Sequence, residues 1–256
     1  MKVKKLFLGI AVAASAVTLF SGSTTVTAQE TFDVEVAYRA WATIAQLESA
    51  NGLPKGLLGS MSLVETGKGM NGRIMPWPYT VGVNPTARYR LGGADVTNQR
   101  LDRLRKLGFT SFNVWTDENS HYGVTASQAE EIIEESKGKA FRLQGRHFSK
   151  RFATARDAAD FAGKITSQGY ENIDVGVLQI NWRYHKQNFG SLVEAFDPYA
   201  NANYAVSYLR KHRDSKLDWW SSVGRYHSKK ETYAKRYIRN VWAIYKRLHE
   251  GASGQA

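Results

Sequence analysis

The stretch Leu53-Pro-Lys-Gly-Leu-Leu-Gly-Ser-Met-Ser-Leu-Val-Glu65-Thr-Gly67 decides how the rest of the chain is read. Pro54 fits the first turn of a helix, where its missing N–H costs nothing, and Gly67 stands where a helix would stop. Between them Leu58, Met61, Ser62 and Glu65 recur at i, i+3, i+4 and i+7, so they share one face. A carboxylate is thereby set on an apolar stripe close to a helix C-terminus. Desolvation and the negative end of the helix dipole both disfavour its anion, so both raise its pKa. A group that must hold a proton near neutral pH and deliver it to a leaving oxygen needs that shift. Position alone favours an exposed helix-end residue, the commoner fate of a glutamate, so other segments must decide.

Upstream, Ala37, Trp41, Ile44 and Ala45 lie at helical spacing within residues 33–50, and Asn51-Gly52 stops that run. Downstream, residues 67–85 (GKGMNGRIMPWPYTVGVNP) carry too much Gly and Pro for a helix and read as an extended or hairpin segment. Residues 86–146 look like an insert with mixed helix and strand signals and no readable motif. A helical pattern resumes over 152–168, followed by the short apolar run Val175 to Ile180. Asp197-Pro198 caps a helix whose Ala202, Ala205, Val206 and Leu209 form one stripe. A further helix covers Asp218 to Tyr226. The last, from about Glu231 to Leu248, puts Tyr237, Ile238, Val241, Ile244, Tyr245 and Leu248 inward. The sum is a mainly helical α+β chain with a small β-hairpin region, and no repeat of solenoid or propeller length recurs.

The 256 residues include no cysteine, which excludes disulfide frameworks, cysteine-ligated zinc and thiol nucleophiles. Residues 1–5 are basic and Leu6 to Phe20 are apolar but short for a membrane span. Val26 and Ala28 suit a signal peptidase, so a cleavable leader of residues 1–28 is expected, with no membrane anchor left after it is removed. Its three lysines take the formal charge from +12 to +9. An exported basic protein meets anionic envelope surfaces before chromosomal DNA, and no nucleic-acid-binding signature is visible.

Four motifs in order, Met61-Ser-Leu-Val-Glu65-Thr-Gly67, Asp174-Val-Gly-Val-Leu-Gln-Ile-Asn181, Asp197-Pro-Tyr-Ala-Asn-Ala-Asn-Tyr204 and Val223-Gly-Arg-Tyr226-His-Ser228, resemble the soluble lytic transglycosylase domain. The resemblance covers residues 33–85 and 150–248 and leaves the insert outside. Thr66 stands for the family's serine, Val177-Leu178 for its Leu-Met pair, and His227 is the one non-conservative departure. The Pro-Trp-Pro-Tyr segment at 76–79 and the run from Asn172 to Gly176 look like a proteobacterial, periplasmic branch, in which they flank the cleft.

What the resemblance implies is a lysozyme-like fold that cleaves the MurNAc-GlcNAc bond of peptidoglycan without water, giving 1,6-anhydro products. Glu65 matches the single catalytic acid, and the substrate's own C6 hydroxyl serves as nucleophile, unlike the usual two-carboxylate arrangement. Gln179 and Tyr226 match cleft residues of the family, with Asn181 and Tyr204 as further substrate-binding candidates. The Gln179 amide would offer sugars both a donor and an acceptor. Trp77, Tyr79 and Trp182 are candidate platforms for sugar rings, although aromatic residues are more often core. Asp174 reads as pinning the strand before Gly176 rather than as a second catalytic carboxylate.

No cofactor is expected, and the six histidines show no ligand spacing, so no metal is expected either. No Gly-x-Ser-x-Gly elbow supports a serine hydrolase. The expected partner is the glycan strand of peptidoglycan. Three alternatives stay open: a muramidase hydrolysing the same bond, a non-catalytic wall-binding component of a secretion or conjugation apparatus, and an exported nucleic-acid binder.

Overall fold

The computed structural model describes residues 33–70, 72–87, 89–91, 93–136, 141–214 and 218–253. The expected leader, with its cleavage after Ala28, lies outside them. In chain order the elements are α1 (Val34–Ala50), α2 (Leu57–Thr66), β1 (Gly67–Met70), β2 (Arg73–Pro76), β3 (Thr80–Val83), β4 (Tyr89–Leu91), α3 (Gly93–Lys106), β5 (Phe112–Trp115), β6 (Ser120–Val124) and α4 (Ala126–Glu135). They continue with β7 (Phe141–Gly145), β8 (Phe148–Arg151), α5 (Ala155–Thr166), β9 (Ile173–Val175), β10 (Ile180–Asn181), α6 (Trp182–His185), α7 (Leu192–Ala195), α8 (Pro198–Asp214), α9 (Trp219–His227) and α10 (Glu231–Ser253). The class is α+β. Among the described residues all strand pairing is antiparallel: the β1–β2 hairpin, a sheet ordered β10-β9-β3-β8, and a second ordered β4-β7-β5-β6.

Helix α2 is buried on nearly every side, with Leu57, Leu58, Gly59, Ser60, Met61, Ser62 and Thr66 all inaccessible. Its neighbours are α1, α10 and the β1–β2 hairpin. Gly59 lets α1 close in, because a Cβ there would stand 2.9 Å from the Trp41 ring. The helix begins at Leu57, three residues later than Pro54 suggests. Gly56 stands before it in the left-handed region at φ 84°, and the first turn takes its cap from outside. The buried Glu48 carboxylate of α1 accepts from the Gly56, Leu58 (2.8 Å) and Gly59 (3.4 Å) N–H groups, where negative charge suits the helix dipole.

Residues 86–146 carry a sheet of their own but not a core of their own. Leu101, Leu104, Phe109, Phe112, Ile133 and Leu143 join one continuous apolar cluster with Leu58, Val81, Val175 and Val206. Phe109 meets Phe148 and Tyr170 edge-on at 5.3 and 5.9 Å, which stitches the two sheets together. Trp77, a candidate sugar platform, is core: it is 0% exposed and its ring N–H donates to the Phe152 carbonyl at 2.8 Å.

The turn between β9 and β10 is fastened by Asn201, a fully buried side chain of α8. Its Oδ1 accepts from the Leu178 N–H (2.9 Å), and its Nδ2 donates to the Val175 (3.0 Å) and Ala195 (2.8 Å) carbonyls. Gly176, at φ 80°, leaves room for this amide, since a Cβ there would come within 2.2 Å of Nδ2. Replacing Asn201 by Leu keeps the volume but strands three buried backbone groups. The unfolding free energy of Asn201→Leu is therefore expected to fall by about 3 kcal/mol, read as a lower urea midpoint at unchanged slope. A midpoint equal to that of the unmutated protein would mean that packing alone holds the turn.

Candidate active site

Helix α2 runs out at Thr66 and delivers Glu65 to the wall of a cleft of 790 Å³. The opposite side is built from β9, the turn before β10, α6, α8 and the end of α9, which supply Asp174, Gln179, Asn181, Tyr184, His185, Tyr208, Tyr226 and His227. Thr66 locks helix to turn: its buried hydroxyl lies 3.0 Å from the Ser62 carbonyl and 3.1 Å from that of Val177.

Glu65 is partly open to the cleft but surrounded by protein, and burial pushes its pKa from 4.5 up to about 8. The Tyr237 hydroxyl of α10 pulls it back down, and the nearby Asp174 charge pushes it up. Tyr237 stands within reach of Glu65 but out of hydrogen-bond alignment, since its buried oxygen has no aligned partner. Burial, then the Glu65 charge, holds the phenols of Tyr226 and Tyr237 well above their usual pKa, so both stay protonated.

Each candidate residue finds a definite place. Tyr226 donates to the Leu178 carbonyl at 2.7 Å and lines the cleft, which leaves its oxygen as an acceptor. Gln179 lines it too, at φ 48°, a left-handed backbone unusual for a residue with a side chain. Both hydrogens of its amide face backbone carbonyls, Thr80 at 3.1 Å and Gly176 at 2.8 Å, so only Oε1 remains for a ligand. Gly82 of β3 makes room for that oxygen, because a Cβ there would stand 2.7 Å from it. Asn181 lines the cleft chiefly as a brace: its Nδ2 donates to Asp174 at 2.7 Å and to Asn172 at 3.2 Å. Tyr204 does not reach the cleft. Its hydroxyl lies 2.7 Å from His185 Nδ1 and sets that ring, which does line it. Tyr79 and Trp182 also lie off the lining, Tyr79 edge-on to Trp77 and Trp182 stacked on Phe189. The aromatic faces on the cleft are instead those of Tyr184, which is 63% exposed, Tyr208 and Tyr226.

Asp174 is more than a strand pin. Asn84 donates to Oδ2 and Asn181 to Oδ1, both at 2.7 Å, which ties β3's end, β9 and β10 together. The same carboxylate faces the cleft, and burial raises its pKa from 3.8 to about 6 against the pull of those two amides. It is ionised at neutral pH while Glu65 is not, and two carboxyls set apart in this way divide acid from anion. Sequence reasoning did not reach Asn84, Tyr208, His185 or the polar end of Tyr237. Of these, only Tyr237 left a signal, its place on the inner stripe of the last helix. Among the described residues no three His, Asp or Glu side chains converge as a metal site would require. Compared with known proteins, the chain matches no family model, no curated protein and no solved structure.

The raised pKa has a stability consequence of definite sign. Between pH 4.5 and about 8 the folded protein keeps a proton on Glu65 that the unfolded chain releases. This contribution is fully present below pH 4.5 and is lost as pH rises to about 8. Glu65→Gln removes the titration. Its unfolding free energy is expected to match the unmutated protein near pH 4.5 and to exceed it near pH 8.5 by on the order of 1–2 kcal/mol, cleft water screening the rest. Melts at the two pH values check it, and a difference independent of pH would show Glu65 to be solvated.

Proposed function

We propose that the cleft cleaves the β-1,4 bond between MurNAc and GlcNAc in peptidoglycan as a lytic transglycosylase, within a lysozyme-like domain working in the periplasm. The observation that carries this reading is the Glu65 carboxyl, protonated at neutral pH and set on the wall of an open polar cleft. Its proton passes to the glycosidic oxygen as the bond to C1 breaks. The C6 hydroxyl of the same MurNAc attacks C1, its proton returns to the Glu65 carboxylate, and a 1,6-anhydro sugar leaves. Asp174 supplies fixed negative charge for the positive character that develops at the sugar ring. The Tyr237 O–H, within reach of Glu65, favours that carboxyl during the interval in which it is charged.

Hydrolysis of the same bond has one observation in its favour, the second carboxylate in the cleft. Each Asp174 oxygen already accepts an amide N–H, which supports a fixed electrostatic role over activation of a water. A purely wall-binding component of an envelope machine would have no use for an acid whose ionisation is so disfavoured.

Mass spectrometry of products released from purified peptidoglycan tests the reading. Anhydro-muropeptides are expected, with Glu65→Gln slower by about 10²–10⁴-fold. Reducing-end products would establish a hydrolase, and no release from the unmutated protein would sink both. The rate is expected to rise with pH through about 6, as Asp174 ionises, and to fall through about 8, as Glu65 does. The two limbs belong to the coupled pair, and Asp174→Asn should flatten the lower one.

A further inference from the structure

The cleft has a second charged rim, of opposite sign to Asp174. Arg225, in the last turn of α9, and Lys229, in the turn that leads to α10, both line it. Arg225 Nη1 donates to the Lys229 carbonyl at 3.3 Å, so its guanidinium is folded over the turn and the two residues are held as neighbours. Both side chains are exposed, and neither forms an ion pair among the described residues. Ser228, between them on the lining, accepts the Lys230 N–H through Oγ at 3.1 Å, which leaves its own O–H free to donate.

The surroundings do not neutralise this rim. Arg225, Lys211 and Lys229 all act on the His212 imidazole and, with burial as the larger cause, hold its pKa down, so positive charge dominates this side of the cleft. The cleft's ionised acid, Asp174, is already engaged by Asn84 and Asn181. Arg225 and Lys229, in no ion pair among the described residues, stand with the Ser228 hydroxyl on the cavity wall and suit an anionic ligand group. A guanidinium and an ammonium together suit a carboxylate or a phosphate, and the anionic groups on the proposed glycan are carboxylates.

We propose that Arg225, Lys229 and the Ser228 hydroxyl form a carboxylate-binding subsite at the turn between α9 and α10, so that the cleft selects glycans bearing carboxylate substituents over neutral polysaccharides. This rests on the reading of the cleft as a glycan site and adds the class of glycan. Two carboxylates are available on peptidoglycan: those of the stem peptides on intact wall, and the lactyl group exposed once the stems are removed.

The test is binding in the Glu65→Gln background, where turnover does not interfere. Sedimentation with intact sacculi is compared with sacculi whose carboxyls have been converted to amides, and the same pair is prepared from peptide-stripped glycan strands. Intact material should bind about tenfold more tightly than amidated material. The double change Arg225→Gln and Lys229→Gln, both on exposed side chains, should bring binding down to the amidated level. A control of equal charge away from the cleft, Lys106→Gln with Lys164→Gln, should keep the preference. Discrimination on sacculi alone assigns the stem carboxylates, and discrimination on stripped strands assigns the lactyl group. No discrimination, its survival in the double variant or its loss in the control would overturn the subsite. If discrimination holds while the unmutated protein releases no product, the catalytic reading fails and the subsite stands.

Discussion

The buried Asn201 carboxamide bonds the Leu178 N–H and the Val175 and Ala195 carbonyls, and both walls of the cleft hang from the turn it holds. An amide buried without partners costs several kcal/mol, whereas one with all its hydrogen bonds made fixes a single geometry. From that turn the Leu178 carbonyl receives Tyr226 of α9, the Val177 carbonyl meets Thr66 beside Glu65, and Gln179 turns its oxygen toward Gly82. Displacing the turn would shift the acid's helix and the tyrosine's helix at once. The glycine at 176 and the left-handed backbone at Gln179 are what this tight crossing of chain demands.

What the turn positions is electrostatically unfavourable. Glu65 ends a helix, loses most of its water and faces a carboxylate that stays charged at neutral pH. Each of these effects opposes ionisation, and the stability given up above neutrality is the counterpart of an acid that still carries its proton there. Glu48, at the other end of the relation between α1 and α2, shows the contrast. Burial raises its pKa as well, but three backbone N–H groups at a helix start resist that rise, and its work is to begin the helix that Glu65 ends.

Legibility in the sequence followed the range of the interaction. Helix stripes, caps at Asp197 and Asp218, the hairpin after Gly67 and the position of Glu65 depend on neighbours within a turn or two, and periodicity exposes them. The start of α2 was misplaced because its cap comes from Glu48, eight to eleven residues back and on another helix. Gln179 looked like a two-way amide because one of its hydrogens goes to Thr80, 99 residues away, and the other to Gly176 through a turn that forms only in the folded chain. Tyr204 and Tyr208 sit four apart on one helix, and only the packing of His185 between them tells which ring faces the cleft. Asn201 lay in plain view beside an apolar stripe, but a polar residue there announces nothing until the turn it holds is in place.

The two tyrosines around Glu65 bear differently on its two protonation states. Tyr226 has given its hydrogen to the Leu178 carbonyl, so what it can offer Glu65 is an oxygen lone pair, which suits the protonated carboxyl. Tyr237 holds a buried O–H within reach of Glu65, where it favours the charged carboxylate. Neither phenol can ionise near neutral pH, so neither competes for the proton. His227 lies flat on the Tyr237 ring, 4.4 Å between centroids and 4° between planes, and so fixes the direction from which that O–H arrives. His227, the one non-conservative departure from the transglycosylase pattern, thus packs on the ring that carries this hydroxyl.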